Sequence, residues 1–154
     1  MTIPFILLFL APYVQIFLVN RIFSWIPFFT PSMVVAAVVF GAFKFSAPLA
    51  YTFAFFIGLI NSFLLVHPAG LDSLVYLIAV FLLLRFSSNF DASAFFGKFI
   101  TGFLGSFFIF LFYYVLSFFI PLSAHPIFPA AARAISTAFF VVFLFLLFPE
   151  KKRF

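Results

Sequence analysis

The chain has 154 residues, of which 68% are hydrophobic and only 7% are charged, and it contains no Cys. A soluble domain carries charge on about a quarter of its residues, so this composition excludes a water-soluble fold and predicts an integral membrane protein. The missing Cys excludes disulfides, thiolate catalysis and Cys-ligated metals. The net charge of +5 comes from scattered basic residues and one basic tail, which predicts contact with lipid head groups and not with nucleic acid.

Six apolar segments in one domain predict an all-α membrane bundle of about six transmembrane helices, because a helix satisfies its own backbone hydrogen bonds in lipid. Thr30 is predicted to cap the second helix and Pro31 to occupy its first position. This second segment is short, so the sequence leaves open whether it spans or re-enters. Phe96, Phe99 and Lys98 predict a short interfacial segment before the fifth span. The predicted spans cover about residues 3–19, 31–43, 47–66, 71–85, 101–120 and 130–148.

The distribution of basic residues predicts the orientation. With six spans and a cytoplasmic N-terminus, the cytoplasmic side receives six basic residues and the outer side receives two. This arrangement obeys the positive-inside rule and places both termini in the cytoplasm. The predicted cytoplasmic residues are Lys44, Arg85, Lys98, Lys151, Lys152 and Arg153, and the predicted outer residues are Arg21 and Arg133.

Few residues could carry chemistry. Asp72 is predicted at the outer mouth of the fourth span, and Asp91 and Glu150 lie outside the spans, which disfavours a proton-driven carrier. His67 and His125 could form a metal site with Asp72, but their spacing matches no helical ligand motif and favours ordinary loop histidines. No catalytic set is present within the predicted helices. We therefore expect no enzyme, no metal and no cofactor.

Three further polar residues occur at or near membrane depth. Arg133, near the outer end of the sixth span, is expected to reach the head groups, or alternatively to turn inward and pair with Asp72. Gln15 and Asn61 are expected either to join helices of this bundle by hydrogen bonds or to contact the transmembrane helix of a partner. Close approach of another helix is predicted at two small residues of the fifth span, Gly102 and Gly105.

Several of these residues occur in an order that resembles MreD, the rod shape-determining membrane protein family of bacteria. Gln15 lies late in the first helix, and Pro31 leads the second. The segment 58–62, Gly-Leu-Ile-Asn-Ser, resembles the Gly-Leu-Leu-x-Asp-Leu motif of the third helix, with Asn61 where the family commonly has Asp. Gly70 then begins a segment that resembles the Gly-Leu-x-x-Leu turn into the fourth helix. The resemblance covers most of the first 90 residues.

This resemblance implies a non-enzymatic scaffold of the peptidoglycan elongation complex in the bacterial inner membrane. The implied partner is the transmembrane segment of MreC, with MreB, RodA and the elongation transpeptidase as further members of the complex. The family's bundle is similar to the substrate-binding subunits of energy-coupling-factor vitamin transporters. That similarity gives the alternative function, in which an outward-facing pocket would gather Asn61, His67, Asp72 and Arg133.

Overall fold

The computed structural model describes residues 6, 8–25, 30–87, 95–120 and 127–148. Within these ranges all regular structure is helical and no strand occurs, so the predicted all-α class is confirmed for them. Three helical stretches are long and apolar enough to cross a membrane, namely Ala47–Leu65, Phe96–Leu116 and Ala130–Leu147. The start of the first predicted span, Asp91, His125, Glu150 and the basic tail lie outside the described residues.

Six helices are described. Helix α1 joins an α-helical turn, Ala11–Val14, a π-helical segment, Gln15–Val19, and a last turn, Asn20–Ile22. The most extensive helix–helix packing joins α3 with α4 and α5 with α6. The remaining helices are α2 (Met33–Lys44), α3 (Ala47–Leu65), α4 (Leu71–Ser87), α5 (Phe95–Leu116) and α6 (Ile127–Leu147).

Helix α2 forms the centre of the bundle. Its residues from Val34 to Ala42 are all buried, and the helix contacts each of the other five. The N-cap is Ser32, whose Oγ accepts a hydrogen bond from the backbone N of Val35 at 3.3 Å. The predicted cap at Thr30 and first position at Pro31 are therefore two residues too early, because the extended backbone of Ser32 begins the helix after the proline.

The connection between α3 and α4 is short and tightly constrained. Val66 ends α3 in the left-handed region at φ 56°, which is unusual for a β-branched residue, and Gly70 adopts φ +84° just before α4. Above this turn, a Cβ on Gly58 would collide with the backbone of Ser73. Gly58 thus lets the first turn of α4 lie directly against α3. Gly58 and Gly70 are accordingly structural residues of the fold, whereas a structural role of Pro31 stays a prediction.

Helix α5 begins at Phe95 and continues without a break to Leu116. The predicted interfacial segment is thus the first part of one helix with the predicted fifth span, and its position at the membrane interface stays a prediction. No proline interrupts the helix, and the Lys98 ammonium packs 5.4 Å from the centroid of the Phe145 ring. The predicted small residues face inward, since Gly102 lies against Val141 of α6 and Gly105 lies against Leu83 of α4.

The two ends of the bundle differ in composition. Lys44, Arg85 and Lys98 lie at the end where α2 and α4 finish and α5 begins. At that end an apolar crevice of about 260 Å³ opens between α4 and α5. We call it the apolar crevice, and it is lined by Phe43, Ala79, Leu82, Leu83, Phe86, Thr101, Leu104, Gly105 and Phe108.

Candidate functional site

The opposite end of the bundle contains a fully buried carboxylate, Asp72, in the first turn of α4. Its Oδ2 accepts a hydrogen bond from Asn61 Nδ2 at 2.7 Å, and its Oδ1 accepts one from the Tyr113 hydroxyl at 2.5 Å. His67 Nδ1 lies 3.0 Å from the same Oδ1. Three helices and one turn therefore converge on a single acidic group, which a buried carboxylate requires because an unpaired one is too costly to desolvate.

Asp72 lies at the start of the fourth predicted span, as expected, but it is fully buried in the bundle, which the sequence analysis did not expect. The close contact at Gly58 draws the start of α4 against α3, and the Asp72 backbone N donates to Ser62 Oγ at 3.2 Å. This anchoring turns the carboxylate into the bundle. The positive end of the α4 dipole also favours a negative charge in its first turn.

Asn61 extends the network across the α3–α4 interface. Its Nδ2 also donates to the Tyr76 hydroxyl at 3.2 Å, and the Tyr76 ring lies edge-on to Tyr113 with centroids 6.5 Å apart. Tyr76 and Asn61 are both buried. Asn61 therefore makes its contacts inside this bundle, as the interpretation of an interhelical hydrogen bond expects.

Gln15 links α1 to α2. Its Oε1 accepts a hydrogen bond from the backbone N of Met33 at 2.6 Å, and its Nε2 donates to Asn20 Oδ1 at 2.7 Å. The Met33 amide belongs to the first turn of α2 and has no partner within its own helix, so Gln15 supplies one from a neighbouring helix. The π-helical segment begins at Gln15, which fits the frequent occurrence of such turns at functional positions.

Arg133 turns toward the interior of the bundle, which contradicts the expectation that it reaches the head groups. Its Nε donates to the carbonyl of Thr30 at 3.3 Å, and its guanidinium lies over the Phe110 ring at 5.5 Å. The alternative pairing with Asp72 is also not formed, because the one acid–base pair among the described residues joins Asp72 to His67. The side-chain partners of Asp72 are instead Asn61, Tyr113 and His67.

These groups surround a cavity of about 280 Å³, which we call the polar cavity. It brings together four of the predicted residues, Gln15, Asn61, His67 and Arg133, while Asp72 lies behind its wall. Pro31, Gly58 and Gly70 do not line it. The polar residues of its wall are Gln15, Asn20, Ser32, Asn61, His67, Tyr76, Tyr113, Tyr114 and Arg133, and its apolar lining includes Ile16, Leu65, Phe110 and Ala130.

Sequence reasoning did not identify the tyrosines of this site. The chain has 33 Phe and only five Tyr, and three of those five, Tyr76, Tyr113 and Tyr114, line the polar cavity. Most aromatic residues of this chain are Phe, so a Tyr within a predicted span adds a hydroxyl where Phe is the usual residue. The rarity of Tyr could therefore have indicated a polar surface at these positions.

The two-histidine metal site, which the sequence disfavours, is only partly described. His67 lies against Asp72, whereas His125 falls in a part of the chain that the structure does not describe. Within the described ranges no group of three His, Cys, Asp or Glu residues could hold a metal ion. The arrangement fits hydrogen bonding and charge recognition better than metal binding.

No family model, curated protein or solved structure matches the chain. The assignment to the MreD family, the six-span count and the likeness to transporter subunits therefore remain predictions based on the residues quoted above.

Proposed function

We propose that the chain is a non-enzymatic, MreD-like scaffold subunit of the peptidoglycan elongation complex in the bacterial inner membrane. One observation supports this proposal above the others. Gly58, Asn61 and Asp72, which lie in the two segments that carry the resemblance, meet at the junction between α3 and α4, and Gly70 forms the turn that joins these helices. Motif residues that contact one another in the fold are better evidence of a shared fold than motif residues that lie apart on the surface.

The scaffold would bind the transmembrane helix of MreC along α1. This helix contacts only α2 and α3 among the elements that pack closely, so much of its surface faces outward. Phe17 and Leu18 are 67% and 56% exposed. Exposed apolar side chains on an outward helix face can pack against another helix in lipid.

Co-purification tests the proposal directly. The tagged chain would be expressed with MreC from the same genome, extracted in mild detergent and captured, and MreC should be retained. Substitution Phe17→Ala should weaken retention, because it removes an exposed ring from the proposed contact face. The matched control is Phe143→Ala, which removes a 52% exposed ring from α6 and should leave retention unchanged. Failure of the unmodified chain to retain MreC would contradict the proposal.

The proposed topology has six spans and cytoplasmic termini, and the chain's lack of Cys makes it easy to test. Single Cys residues in place of Trp25 and Lys44 would be labelled with a membrane-impermeant maleimide in intact spheroplasts. Trp25 is 91% exposed, and we expect labelling there and none at Lys44 until the membrane is opened. The reverse pattern would place the polar cavity on the cytoplasmic side.

The polar cavity favours one second candidate, a substrate-binding membrane subunit of a vitamin transporter. Ligand sites are concave, largely preformed and lined by apolar groups with a few converging polar side chains, and this cavity has that character. A panel of vitamins tested for thermal stabilisation of the purified chain would support the candidate if one compound raised the melting temperature. A uniform absence of stabilisation would count against it.

A further inference from the structure

The guanidinium of Arg133 is held in a fixed position with part of its hydrogen-bonding capacity unused. The Thr30 carbonyl accepts from Nε, and the Phe110 ring supports the planar face. Across the described ranges, no carboxylate pairs with Arg133 and no acceptor is found for its two terminal nitrogens. A partly buried cation without a counter-charge is costly.

The wall of the polar cavity therefore presents a positive charge without an accessible negative one. Asp72 is fully buried and does not line the cavity. Both of its oxygens are occupied, one by Asn61 and the other by Tyr113 and His67. A cationic ligand would meet Arg133 and find no free carboxylate, whereas an anionic ligand would meet a preoriented guanidinium.

We propose that the polar cavity binds an oxyanion, either the carboxylate or phosphate of a small solute or the phosphate of a lipid head group, and that Arg133 is the residue that recognises it. The planar guanidinium can donate two parallel hydrogen bonds to such a group. Because Nε is already engaged with Thr30, the two terminal nitrogens supply these donors. This inference holds whether the chain is a scaffold or a transporter subunit, since it concerns the chemistry of the cavity alone.

The size and lining of the cavity limit the ligand. A volume of about 280 Å³ lies near the lower end of the range for small-molecule sites, about 300 Å³ and above. Tyr114 and Asn20 add polar groups around the anion site, while Ile16 and Leu65 add an apolar surface. The ligand is therefore a compact molecule or head group with one oxyanion and a short neutral portion.

Binding would be measured on the full chain in nanodiscs. In discs of a neutral galactolipid, whose head group contains no phosphate, isothermal titration with inorganic phosphate, acetate and glycerol 3-phosphate would be compared with chloride at equal ionic strength. A second set of discs would contain phosphatidylglycerol, and thermal stability would be followed through the fluorescence of Trp25, the single Trp of the chain. These two arms separate a soluble oxyanion from a lipid phosphate.

Three variants define the outcome. Arg133→Gln should weaken oxyanion binding about tenfold or more, because a hydrogen bond to a charged group is lost. Arg133→Lys keeps the charge but not the planar fork, so it should bind several-fold more weakly than the native chain and more tightly than the Gln variant. Lys44→Gln removes a basic residue at the other end of the bundle and should change nothing.

The proposal is supported by saturable binding of a soluble oxyanion or by thermal stabilisation in phosphatidylglycerol discs. In either case the effect must be strongest in the native chain, weaker in Arg133→Lys and weakest in Arg133→Gln. The absence of both effects in the native chain overturns it. Equal weakening by Lys44→Gln also overturns it, because the effect would then reflect overall charge. These results are independent of MreC retention, so the site and the scaffold role can fail separately.

Discussion

The two ends of the bundle contain cavities of nearly equal volume, about 280 Å³ and 260 Å³. The interactions that hold the lining residues in place differ between the two cavities. At the polar end, Asp72, Asn61 and Gln15 are held by hydrogen bonds that cross between helices. At the apolar end, the lining consists of Phe, Leu and Ala, with Thr101 and Gly105 as its other members. The comparison teaches that the same helices can fix a site by directional bonds at one end and rely on packing alone at the other.

The largest expected effect is at the polar end, where Asp72→Ala removes the acceptor on which three side chains converge. Asn61, Tyr113 and His67 would lose their shared partner, so the free energy of unfolding should fall by about 3 to 5 kcal/mol. Unfolding in mixed micelles with increasing denaturing detergent measures the change. Asp72→Asn keeps one acceptor oxygen and should cost less, and equal losses for the two variants would contradict this account.

A smaller loss is expected at Gly58, which sets the distance between α3 and α4. A Cβ there would collide with the backbone of Ser73, which cannot move aside as a side chain can, so Gly58→Ala should cost about 1 to 3 kcal/mol. The control is Gly105→Ala at the apolar end, where the new methyl group would meet side-chain atoms of Leu83 and Val39. Those side chains can shift, so a loss at Gly105 as large as that at Gly58 would be inconsistent with the comparison.

Gln15→Leu should reduce stability by about 1 kcal/mol, because the amide of Met33 loses its acceptor. The same detergent unfolding measurement applies. Gln15→Glu keeps an acceptor for Met33 and loses only the donor to Asn20, so it separates the two hydrogen bonds. If the Leu variant were as stable as the native chain, the link between α1 and α2 would depend on packing and not on this amide.

An effect of similar size but opposite sign is expected at Ser106 of α5, next to Gly105 of the apolar crevice. Its buried hydroxyl has no hydrogen-bond partner among the described residues. Ser106→Ala should therefore raise the free energy of unfolding by about 1 kcal/mol, since the cost of burying an unpaired hydroxyl disappears. Thr137→Val is the contrasting variant, because Thr137 Oγ1 donates to the Arg133 carbonyl and accepts from Ser32 N, and its loss should destabilise the chain.

The apolar runs between Pro, Gly and charged residues predicted the starts of two helices, whereas α2 begins two residues later and α5 six residues earlier than predicted. The start of α3 at Ala47 and that of α4 at Leu71 agree with the predicted segments. The buried position of Asp72 was not predictable in the same way. It depends on the contact of Gly58 with Ser73, two residues that are 15 positions apart, and hydropathy contains no information on such packing.

The inward turn of Arg133 shows the same limit. The sequence places a cation near the end of a helix, where reaching the head groups is the usual outcome. The deciding contacts come from Thr30 and Phe110, which belong to distant parts of the chain. Residue chemistry thus identified four of the polar positions, Gln15, Asn61, Asp72 and Arg133, but their partners emerged only from the fold.

The shortness of α2 has a consequence for passage of solutes through the bundle. Twelve residues of helix measure about 18 Å, well below the roughly 30 Å of a hydrocarbon core. The space beyond its two ends is where the cavities lie, with Ser32 lining the polar cavity and Phe43 lining the apolar crevice. Between these cavities α2 is closely packed, since its residues from Val34 to Ala42 are all buried. Among the described residues the two cavities share no lining residue, so the described conformation contains two separate cavities and not one continuous passage.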